Sequence, residues 1–586
     1  MHGKSSKFKA ILSFVLVLLL LAGCGAAGEN GGTATSAAEG TAAGNSTAAQ
    51  LSKEPKVTIS IIANNGVGHI GGPDITDPVI LELARATGVT AKITFIPSQD
   101  DIKAKTSAMV ASGDLPDVVW FNSSDAIYAG KQLTNFINAD AIVDLTELIE
   151  TNGQNFLNDP RTRFAVEYNK KFLSNGTNKL YFIGTYAGPQ SRYGDPLVGP
   201  YIRWDYYKEL GYPAVNDADQ LLDVLEQMQN KYPTALNGKK AYGTSFFVDW
   251  GMEATGELMM VDGIYDRADI TNHQLLPPPY TDASSNWWKW IKWLYNAKQR
   301  GILDPDSFTL KYDQWEQKVK GGETYFFTEG WVANSLAGEE GQGYAPVDYQ
   351  PGKPTDANFG HARGASLWAI TTNCKNPDRA LDFFNYCASE EGMMTIFNGV
   401  KGETWDVVDG VPTLKPEVIE ESKKRGDDNK MKEKYGMGVY EHLAALTGNE
   451  INPAYNMTYQ ISQSADYIAK NMNAVQKDFC RHYGVKTTGD LFAKREFNGY
   501  LNPVGGSMPS PEGDVKLISD KMNEYMLSNW LKPILAKNDA DFEAIQDKII
   551  KDLFDMGAQQ TYDWYEDNWN KLLPQVRELE KAILGK

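Results

Sequence analysis

Hydrophobic and polar positions follow two different periods in the first part of the chain, and the switches between them predict alternating strands and helices. Residues 56–63 read KVTISIIA, an apolar-rich run typical of a buried strand. A helical period follows over 78–86, and a second strand-like run occupies 89–96. A helix over 99–111 and a strand over 117–121 continue the alternation. Strands that alternate with helices of this length favour a parallel sheet with right-handed crossovers.

The same style of pattern continues through the middle of the chain, without an internal repeat or a linker-like stretch. Further strands are predicted over 179–186, 241–247, 323–327 and 365–371, and further helices over 217–230, 285–300 and 377–389. From about residue 416 the pattern is mostly helical, and it ends in long amphipathic runs over 514–536 and 541–584. The sequence therefore predicts an interlaced α/β body that is covered by C-terminal helices.

The first 24 residues have the pattern of an export signal. Three lysines precede an apolar run from Ala10 to Leu21, which is too short to span a bilayer as a helix and fits a secretory signal. The following Leu21-Ala22-Gly23-Cys24 resembles the lipobox of bacterial lipoproteins, which implies removal of residues 1–23 and a diacylated, palmitate-type anchor on Cys24. We therefore expect a lipoprotein held at the extracellular face of the cell membrane.

Residues 24–53 form a low-complexity stretch after that signal. They contain no aromatic residue and consist mainly of Gly, Ala, Ser, Thr and Asn. Such a stretch buries too little apolar surface to offset its chain entropy. We therefore expect a flexible linker, with the folded part beginning near Glu54.

Composition excludes several classes of function. The formal net charge of −18 argues against nucleic acid and against an anionic membrane surface as partners. The six histidines form no H-E-x-x-H motif, and the cysteines beyond Cys24 have no metal-ligand spacing, so no metal site or cofactor is predicted. Cys374 and Cys387 form a disulfide in one interpretation, whereas in the other they and Cys480 are buried thiols.

A literal G-x-G-x-x-G lies in IIANNGVGHIGGP, residues 61–73, directly after the first strand. A dinucleotide site needs a helix that begins within the glycine turn, so that its first amides meet the pyrophosphate. Here Pro73 and Pro78 delay the helix, so the stretch is predicted to be a long loop and the dinucleotide interpretation fails. Its polar side chains either bind ligand hydroxyls, as we expect for Asn64, Asn65 and His69, or are merely solvated.

Four motifs resemble extracellular solute-binding proteins of family 1, the maltose-binding-like receptors of ABC sugar importers. Their order along the chain is also that of the family. They are ASGDLPDV at 111–118, YIRWD at 201–205 with LG at 210–211, KGGETYFFTEGW at 320–331, and NPDRA at 376–380 followed by SEEG at 389–392. The C-terminal helices fit the large subgroup that imports oligosaccharides.

This resemblance implies a two-lobed, periplasmic-binding-protein type II fold. Lobe one would comprise residues 54–190 and 365–430, and lobe two residues 195–360 and 431–586, including the C-terminal helices. The ligand would lie in the cleft between them, outside the carboxyl ends of the strands. Closure of the lobes would be a shift in a hinge equilibrium.

Sugar recognition needs an aromatic plane for the C–H face of the ring and polar side chains around its rim. The resemblance places the stacking tryptophan at Trp331, for which a role in the lobe core is the alternative. Trp120 and Phe121 point to opposite faces of one strand, so only one of them is expected to reach the cleft. The other ligand contacts expected at strand ends or crossings are Asn122, Asp125, Arg203, Trp204, Asp249, Trp250, Glu253, Arg363, Trp368 and Trp405.

Two of these candidates need comment. The guanidinium of Arg203 suits either sugar hydroxyls or a uronate. Trp405 closes a stretch that resembles the subgroup's G-x-E-G-x-x-aromatic loop, but Lys401 replaces the frequent Glu. By contrast, the four tryptophans within 287–293 are spaced for packing along one helix.

The predicted function is capture of a carbohydrate by a monomeric receptor, followed by delivery to ABC permease subunits that are driven by a separate ATPase, because the chain has no Walker motif. An exported carbohydrate-active enzyme is one alternative, but no carboxylate pair stands out. A receptor for another solute such as a peptide is the second, although peptides do not require tryptophan platforms. No catalytic residue is predicted.

Overall fold

The computed structural model describes most of the chain after residue 55. The described residues are 56–64, 76–96, 99–122, 130–188, 192–252, 258–259, 261–262, 264–265, 268–269, 274–276, 278–336, 338–349, 364–424, 430–492 and 501–585. The predicted lipidation site, Cys24, and the predicted ligand contacts Asn65, His69, Asp125, Glu253 and Arg363 lie outside them.

The first sheet has five strands in the order β2-β1-β3-β12-β4. Its strands are β1 (Val57–Asn64), β2 (Val89–Ile96), β3 (Val118–Asn122), β4 (Ile183–Thr185) and β12 (Ser366–Ile370). The first three are parallel, as predicted, whereas β12 returns antiparallel to both β3 and β4. The carboxyl ends of β1 to β4 therefore lie at one edge, where β12 begins.

The helix between β1 and β2, Pro78–Thr87, is delimited by its own sequence. Asp77 accepts hydrogen bonds from the amides of Val79 and Ile80, Pro78 occupies the first turn, and Gly88 ends the helix in a left-handed conformation. The second carboxyl oxygen of Asp77 accepts the hydroxyl of Tyr440. One buried side chain thus caps a helix and anchors a distant segment.

Replacing Asp77 should measurably destabilise the fold. For Asp77→Ala we expect the free energy of unfolding to fall by about 1–2 kcal/mol, because the cap is lost and the Tyr440 hydroxyl keeps no acceptor. Urea denaturation followed by circular dichroism measures the change. Asp77→Asn retains the capping oxygen and is the matched control; an equal loss in both variants would contradict this account.

Hydrophobic clusters cover both faces of the first sheet. Trp120 belongs to the cluster on one face and Phe121 to the cluster on the other, in agreement with the predicted alternation along β3. The first cluster also contains residues from Tyr435 to Ile461. Residues 435–461 thus pack beside the first sheet, although the sequence-based division grouped them with lobe two.

The second sheet has four strands in the order β11-β5-β10-β6. They are β5 (Val198–Arg203), β6 (Tyr242–Thr244), β10 (Thr324–Glu329) and β11 (Tyr344–Pro346). Strands β6 and β10 are parallel, and β5 is antiparallel to β10, with Val198 opposite Glu329. The start of β5 therefore lies at the edge where β6 and β10 end.

The core beside the second sheet is built around the tryptophan-rich helix Asn286–Gln299. Ser285 caps this helix by accepting the amide of Trp288. The four tryptophans of residues 287–293 are all buried, which confirms that they pack. Segments 472–480, 522–534 and 542–558 join the same hydrophobic cluster, so the core draws on the middle and the end of the chain.

The other helices and small sheets follow in chain order. Helices near the first sheet span Gln99–Ser112, Gly130–Asn138, Leu148–Asn152, Gln154–Asn158, Pro160–Phe172, Pro377–Cys387, Glu390–Asn398, Pro416–Ser422 and Met431–Tyr435. Those near the second sheet span Trp204–Glu209, Ala218–Lys231, Tyr312–Lys320, Ala465–Asn471 and Ala474–Tyr483. The short strands are β7 (Ile264–Tyr265), β8 (Ala268–Asp269), β9 (Gln274–Leu275), β13 (Trp405–Val408), β14 (Val411–Leu414), β15 (Ile451–Asn452) and β16 (Met457–Thr458).

Four helices end the chain: Leu501–Ser507, Gly513–Asn529, Asp539–Met556 and Ala558–Leu584. The single run predicted over 541–584 is in fact two helices, because Gly557 adopts a left-handed conformation with φ of 110°. In the last helix, Ala558 packs in the cluster of the second sheet. Trp569 and Val576, further along it, pack on Phe164 and Tyr168 of the Pro160–Phe172 helix.

Two further observations bear on the sequence predictions. Cys374, Cys387 and Cys480 are free and buried, so the thiol interpretation is correct and the Cys374–Cys387 disulfide is not formed. In the part of the chain that the structure describes, none of the helices combines the length and apolar character required to cross a membrane.

Candidate functional site

Both links between the sheets join the same two edges. The first link leaves β4 at Thr185, where the parallel strands of the first sheet end, and enters β5 at Val198, where β6 and β10 end. The second leaves β11 towards that edge of the second sheet and enters β12 at Ser366. In open α/β sheets, ligands bind outside the carboxyl ends of the strands. A ligand site is therefore expected at these two edges.

An exposed aromatic surface, here called the aromatic shelf, lies at this edge of the second sheet and consists of Trp250, Tyr312 and Trp331. The ring of Trp250 stacks on that of Tyr312 with centroids 4.6 Å apart and planes 15° apart, and lies 6.4 Å from Trp331 at 25°. Trp250 is 38% exposed and Trp331 41%. Three aromatic rings thus cluster at this edge, and the two indoles are each more than a third exposed.

Three separate segments of the chain contribute the rings of the aromatic shelf. Trp250 follows β6, and Trp331 lies in the turn Gly330–Val332 directly after β10. Tyr312 begins the helix Tyr312–Lys320, where its amide donates to Asp249 Oδ1 at 2.8 Å. Trp331 Nε1 donates to the Tyr312 hydroxyl at 2.7 Å. The bond between Trp331 and Tyr312 therefore joins two of the three rings before any ligand binds.

Gly330 brings the aromatic shelf close to the first link between the sheets. Its amide donates to Leu197 O at 2.8 Å, and a Cβ atom at this position would lie 2.2 Å from Pro196 O. Only glycine permits this approach. Trp331 is therefore positioned against the segment that connects the two sheets.

The corresponding edge of the first sheet carries a polar cluster of Thr185, Tyr186, Ser366, Glu441 and His442, here called the edge cluster. Trp120 Nε1 donates to Ser366 Oγ at 2.9 Å, and Ser366 Oγ lies 2.6 Å from His442 Nδ1. The Tyr186 and His442 rings stack with centroids 4.5 Å apart and planes 27° apart. The Tyr186 hydroxyl donates to Glu441 Oε2 at 3.3 Å.

Burial shifts the proton equilibria of this cluster. It lowers the pKa of His442 to about 4 and raises the pKa of Glu441. The imidazole is therefore neutral at pH 7. As the pH falls from 6.5 to 4, the unfolded chain binds a proton at residue 442 that the folded chain does not, so this residue lowers the free energy of unfolding in that window.

Measuring stability over a series of pH values tests whether His442 is neutral in the folded protein. Between pH 7 and pH 4.5 we expect wild type to lose more of its free energy of unfolding than His442→Gln, since the variant lacks the titrating ring. Urea denaturation at each pH measures the difference. Glu441 contributes with the opposite sign, because its raised pKa favours the folded state as the pH falls, but it is present in both proteins. Identical pH dependence of the two proteins would contradict the assignment.

Several predicted ligand contacts of the first sheet are buried. Trp120 is 4% exposed and donates to Ser366, and Phe121 packs among phenylalanines on the opposite face. Trp368 donates to Thr185 Oγ1, and Trp405 donates to Gly399 O. Their indole N–H groups are satisfied within the protein, so we drop them from the proposed contacts.

Arg203 and Trp204 are likewise interior residues. The Arg203 guanidinium binds both carboxyl oxygens of Asp205, at 2.6 and 3.0 Å, and stacks on Tyr206 at 4.3 Å. Trp204 is 1% exposed and donates to Asp478 Oδ2. The fork predicted to bind hydroxyls or a uronate is thus occupied by an internal ion pair.

Of the predicted residues, the structure brings together Trp331, Trp250 and Asp249. Asn64 and Asn122 end β1 and β3 at the corresponding edge of the first sheet, but their side chains are outside the described part. Sequence reasoning missed Tyr312, Tyr186, Glu441 and His442. The only available signal was that Tyr186 is the last residue of a predicted strand. The others come from a helix start and a short turn, and no motif marks them.

An open pocket of about 740 Å³ lies at the opposite edge of the second sheet, before β10. Apart from Leu310 and Gly321, the residues that line it have polar or charged side chains, and none of them is aromatic. Lys318 binds Asp304 and Asp306, and Lys239 binds Glu323. These charged side chains around the pocket are therefore paired within the protein. Among the described residues no group of three or more His, Cys, Asp or Glu is arranged to hold a metal ion.

Two α/β sheets linked twice through the edges where their parallel strands end, with aromatic rings at one edge, are the architecture of two-lobed solute-binding proteins. The chain belongs to the family described as bacterial extracellular solute-binding protein, whose model matches residues 80–423. This family is one of solute-binding proteins.

Two curated relatives are similar to parts of the chain. The fructooligosaccharide ABC transporter substrate-binding protein FusA of Streptococcus pneumoniae serotype 4 (strain ATCC BAA-334 / TIGR4) is 22% identical over 285 residues, which are 45% of this chain and 48% of FusA. Lipoprotein LipO of Bacillus subtilis (strain 168) is 21% identical over 357 residues, 58% of this chain and 66% of LipO. The matches span about half and just under two thirds of those relatives.

Two solved structures share the fold over nearly their whole length. The alginate-binding protein AlgQ2 without calcium ion superposes with a TM-score of 0.58 at 18% identity, covering 89% of this chain and 99% of AlgQ2. FusA in complex with fructo-nystose, as an EF-hand mutant, has a TM-score of 0.59 at 16% identity, covering 88% and 100%. At these identities the likeness shows the fold and says nothing about the ligand.

Proposed function

We propose that the protein is the substrate-binding component of an ABC importer and captures an oligosaccharide between its two lobes. The observation that carries this proposal is the aromatic shelf. Trp250 and Trp331 are each more than a third exposed, in a molecule whose other tryptophans at strand ends are interior. A sugar ring offers a flat C–H face that such aromatic rings bind, and Asp249 lies at the rim for hydroxyls.

The relatives support the same class of ligand. FusA is named for fructooligosaccharides and AlgQ2 for alginate, both carbohydrates. In this proposal the lobes close over the ligand and present it to permease subunits, and a separate ATPase supplies the energy. Lobe one would be organised on the first sheet and lobe two on the second, with the receptor acting as a monomer.

The location proposed for the receptor is the outer face of the cell membrane. The signal-like residues 1–23 and the lipobox-like ending at Cys24 support a lipid anchor, and the relative LipO is named a lipoprotein. A Cys24→Ser variant expressed in a bacterial host should pass from the membrane fraction to the soluble fraction, and mass spectrometry of the wild-type N-terminal peptide should show two acyl chains. An unmodified Cys24 would refute the anchor.

A ligand panel tests the function itself. The folded part, residues 54–586, is incubated separately with maltooligosaccharides, xylooligosaccharides, fructooligosaccharides, alginate oligosaccharides and mixed peptides. We expect a rise in melting temperature with at least one carbohydrate series, since a ligand that binds only the folded state stabilises it. Chromatography of the recovered carbohydrate should show no cleavage. Shifts with peptides alone would make it a peptide receptor, and cleaved products would make it an enzyme.

A further inference from the structure

The edge cluster combines polar, partly exposed side chains, which packing of a hydrophobic core does not require. Tyr186, Glu441 and His442 are all only partly buried, at the edge of the first sheet where the links to the second sheet begin. Tyr186 lies directly after β4, and Glu441 and His442 form a short turn, Glu441–Leu443, beside it. Their position matches, on the first sheet, that of the aromatic shelf on the second.

The backbone at Tyr186 is held in an unusual conformation. Its φ of 58° lies in the left-handed region, which a bulky residue rarely adopts. Hydrogen bonds from Tyr186 N to Ala444 O at 2.7 Å and from Ala187 N to Ala445 O at 3.0 Å keep it there. Strain of this kind is retained where surrounding structure demands it, commonly at functional sites.

The hydrogen-bond chain assigns the tautomer of His442. An indole N–H is only a donor, so Ser366 Oγ accepts from Trp120. Among the described residues His442 Nδ1 is the one acceptor within reach of the Ser366 hydroxyl, which therefore directs its hydrogen there. Nδ1 is then the acceptor, and the proton of the neutral ring is on Nε2. Within the described part of the chain, Nε2 has no hydrogen-bond partner. The ring therefore presents one oriented N–H donor.

Glu441 supplies the complementary group. Its carboxyl accepts the Tyr186 hydroxyl through Oε2 and lies next to His442 in the same turn. The stacked Tyr186 ring and its hydroxyl thus position an N–H donor and a carboxyl beside each other. Adjacent donor and acceptor groups are what neighbouring sugar hydroxyls require, because each hydroxyl both donates and accepts.

We propose that Glu441 and His442, positioned by Tyr186, are the ligand-binding groups that the first sheet contributes to the carbohydrate site, with His442 Nε2–H and the Glu441 carboxyl bound to hydroxyls of one sugar unit. This inference rests on the proposed function and extends it, because it identifies the polar half of the site opposite the aromatic shelf.

A matched pair of variants at one position tests the proposal. Gln places its amide nitrogen where His442 Nε2 is, whereas Asn reaches only to the position of Nδ1. Using the panel carbohydrate that gives the largest thermal shift to wild type, we expect isothermal titration calorimetry to show dissociation constants raised at least tenfold for His442→Asn and less than threefold for His442→Gln. Glu441→Ala should also raise it at least tenfold, and Glu441→Gln less.

The outcomes separate the two proposals. If Trp331→Ala loses affinity while His442→Asn and Glu441→Ala bind as wild type does, the edge cluster is structural and this inference is wrong, but the proposed function stands. If wild type binds no carbohydrate of the panel, the proposed function itself fails. Equal losses in His442→Asn and His442→Gln would also overturn the inference, since the donor at Nε2 would then be irrelevant.

Nitrogen-15 NMR of the wild-type protein provides a readout that does not depend on any variant folding. At pH 7 we expect the His442 ring to show the Nε2–H tautomer, and its Nε2 proton to shift when the carbohydrate is added. A proton on Nδ1, or an Nε2 signal that is unchanged in the saturated complex, would contradict the assignment. Tyr186→Phe, which keeps the stacked ring but lacks the hydroxyl, should bind more weakly than wild type because Glu441 loses its positioning contact.

Discussion

Trp331→Ala is expected to raise the dissociation constant for the carbohydrate ligand at least tenfold, about 1.4 kcal/mol or more, while the melting temperature stays close to that of wild type. Trp331 is 41% exposed, so its removal costs little packing, but it deletes the part of the aromatic shelf nearest the link between the sheets. Isothermal titration calorimetry measures the change in affinity.

The matched control keeps a ring at the same place. Trp331→Phe retains an aromatic plane and should recover part of the affinity, although it cannot donate to the Tyr312 hydroxyl as Trp331 Nε1 does. Trp250→Ala should weaken binding in the same direction because the two indoles belong to one surface. An unchanged dissociation constant for both alanine variants would remove the shelf from the site.

Trp290→Ala is expected to affect stability and not ligand affinity, with a loss of about 3–5 kcal/mol in the free energy of unfolding. Trp290 is fully buried in the Asn286–Gln299 helix, packs against Trp293, and donates to Asp262 Oδ2 at 2.9 Å. Truncation creates a cavity and removes a donor from a buried carboxylate. Chemical denaturation monitored by fluorescence and circular dichroism measures the loss.

Comparing the two tryptophans separates packing from binding. Trp290→Phe fills most of the cavity and should recover part of the lost stability, whereas its ligand affinity, measured below the unfolding transition, should equal that of wild type. If Trp290→Ala proved as stable as wild type, the tightly packed core described here for the second sheet would be wrong.

The first three strands and their helices were predictable to within one or two residues. Their bounds depend on local signals, such as the Asp77-Pro78 start and the Gly88 end of one helix, that act over a few residues. The strand predicted over 179–186 is only Ile183–Thr185. Leu180 O instead accepts the amide of Leu145 outside the sheet, which alternation alone does not reveal.

Long-range contacts lie beyond what periodicity predicts. Residues 435–461 pack with the first sheet because partners such as Asp77 and Tyr440 meet across the chain, and periodicity cannot identify such partners. The break at Gly557 was visible as one glycine in an amphipathic run. A single glycine is tolerated in many helices, so the sequence did not distinguish a break from a continuous helix.

For the site, the sequence predicted residue types better than their accessibility. Trp331 and Trp250 follow strands and are exposed, but Trp120 and Trp204 also lie at strand ends and are buried. The difference depends on which neighbours cover each ring, such as Ser366 over Trp120. His442 was missed because its environment is assembled from three distant segments.

The last helix, Ala558–Leu584, has a mechanical consequence for the lobe closure that we propose. It is attached at its start to the core of the second sheet and, through Trp569 and Val576, to the Pro160–Phe172 helix beside the first. A helix that packs against both lobes resists any change of the angle between them. When the angle between the lobes changes, the helix must therefore bend, and Pro574 inside it favours a kink there. Otherwise one of its two contacts must shift.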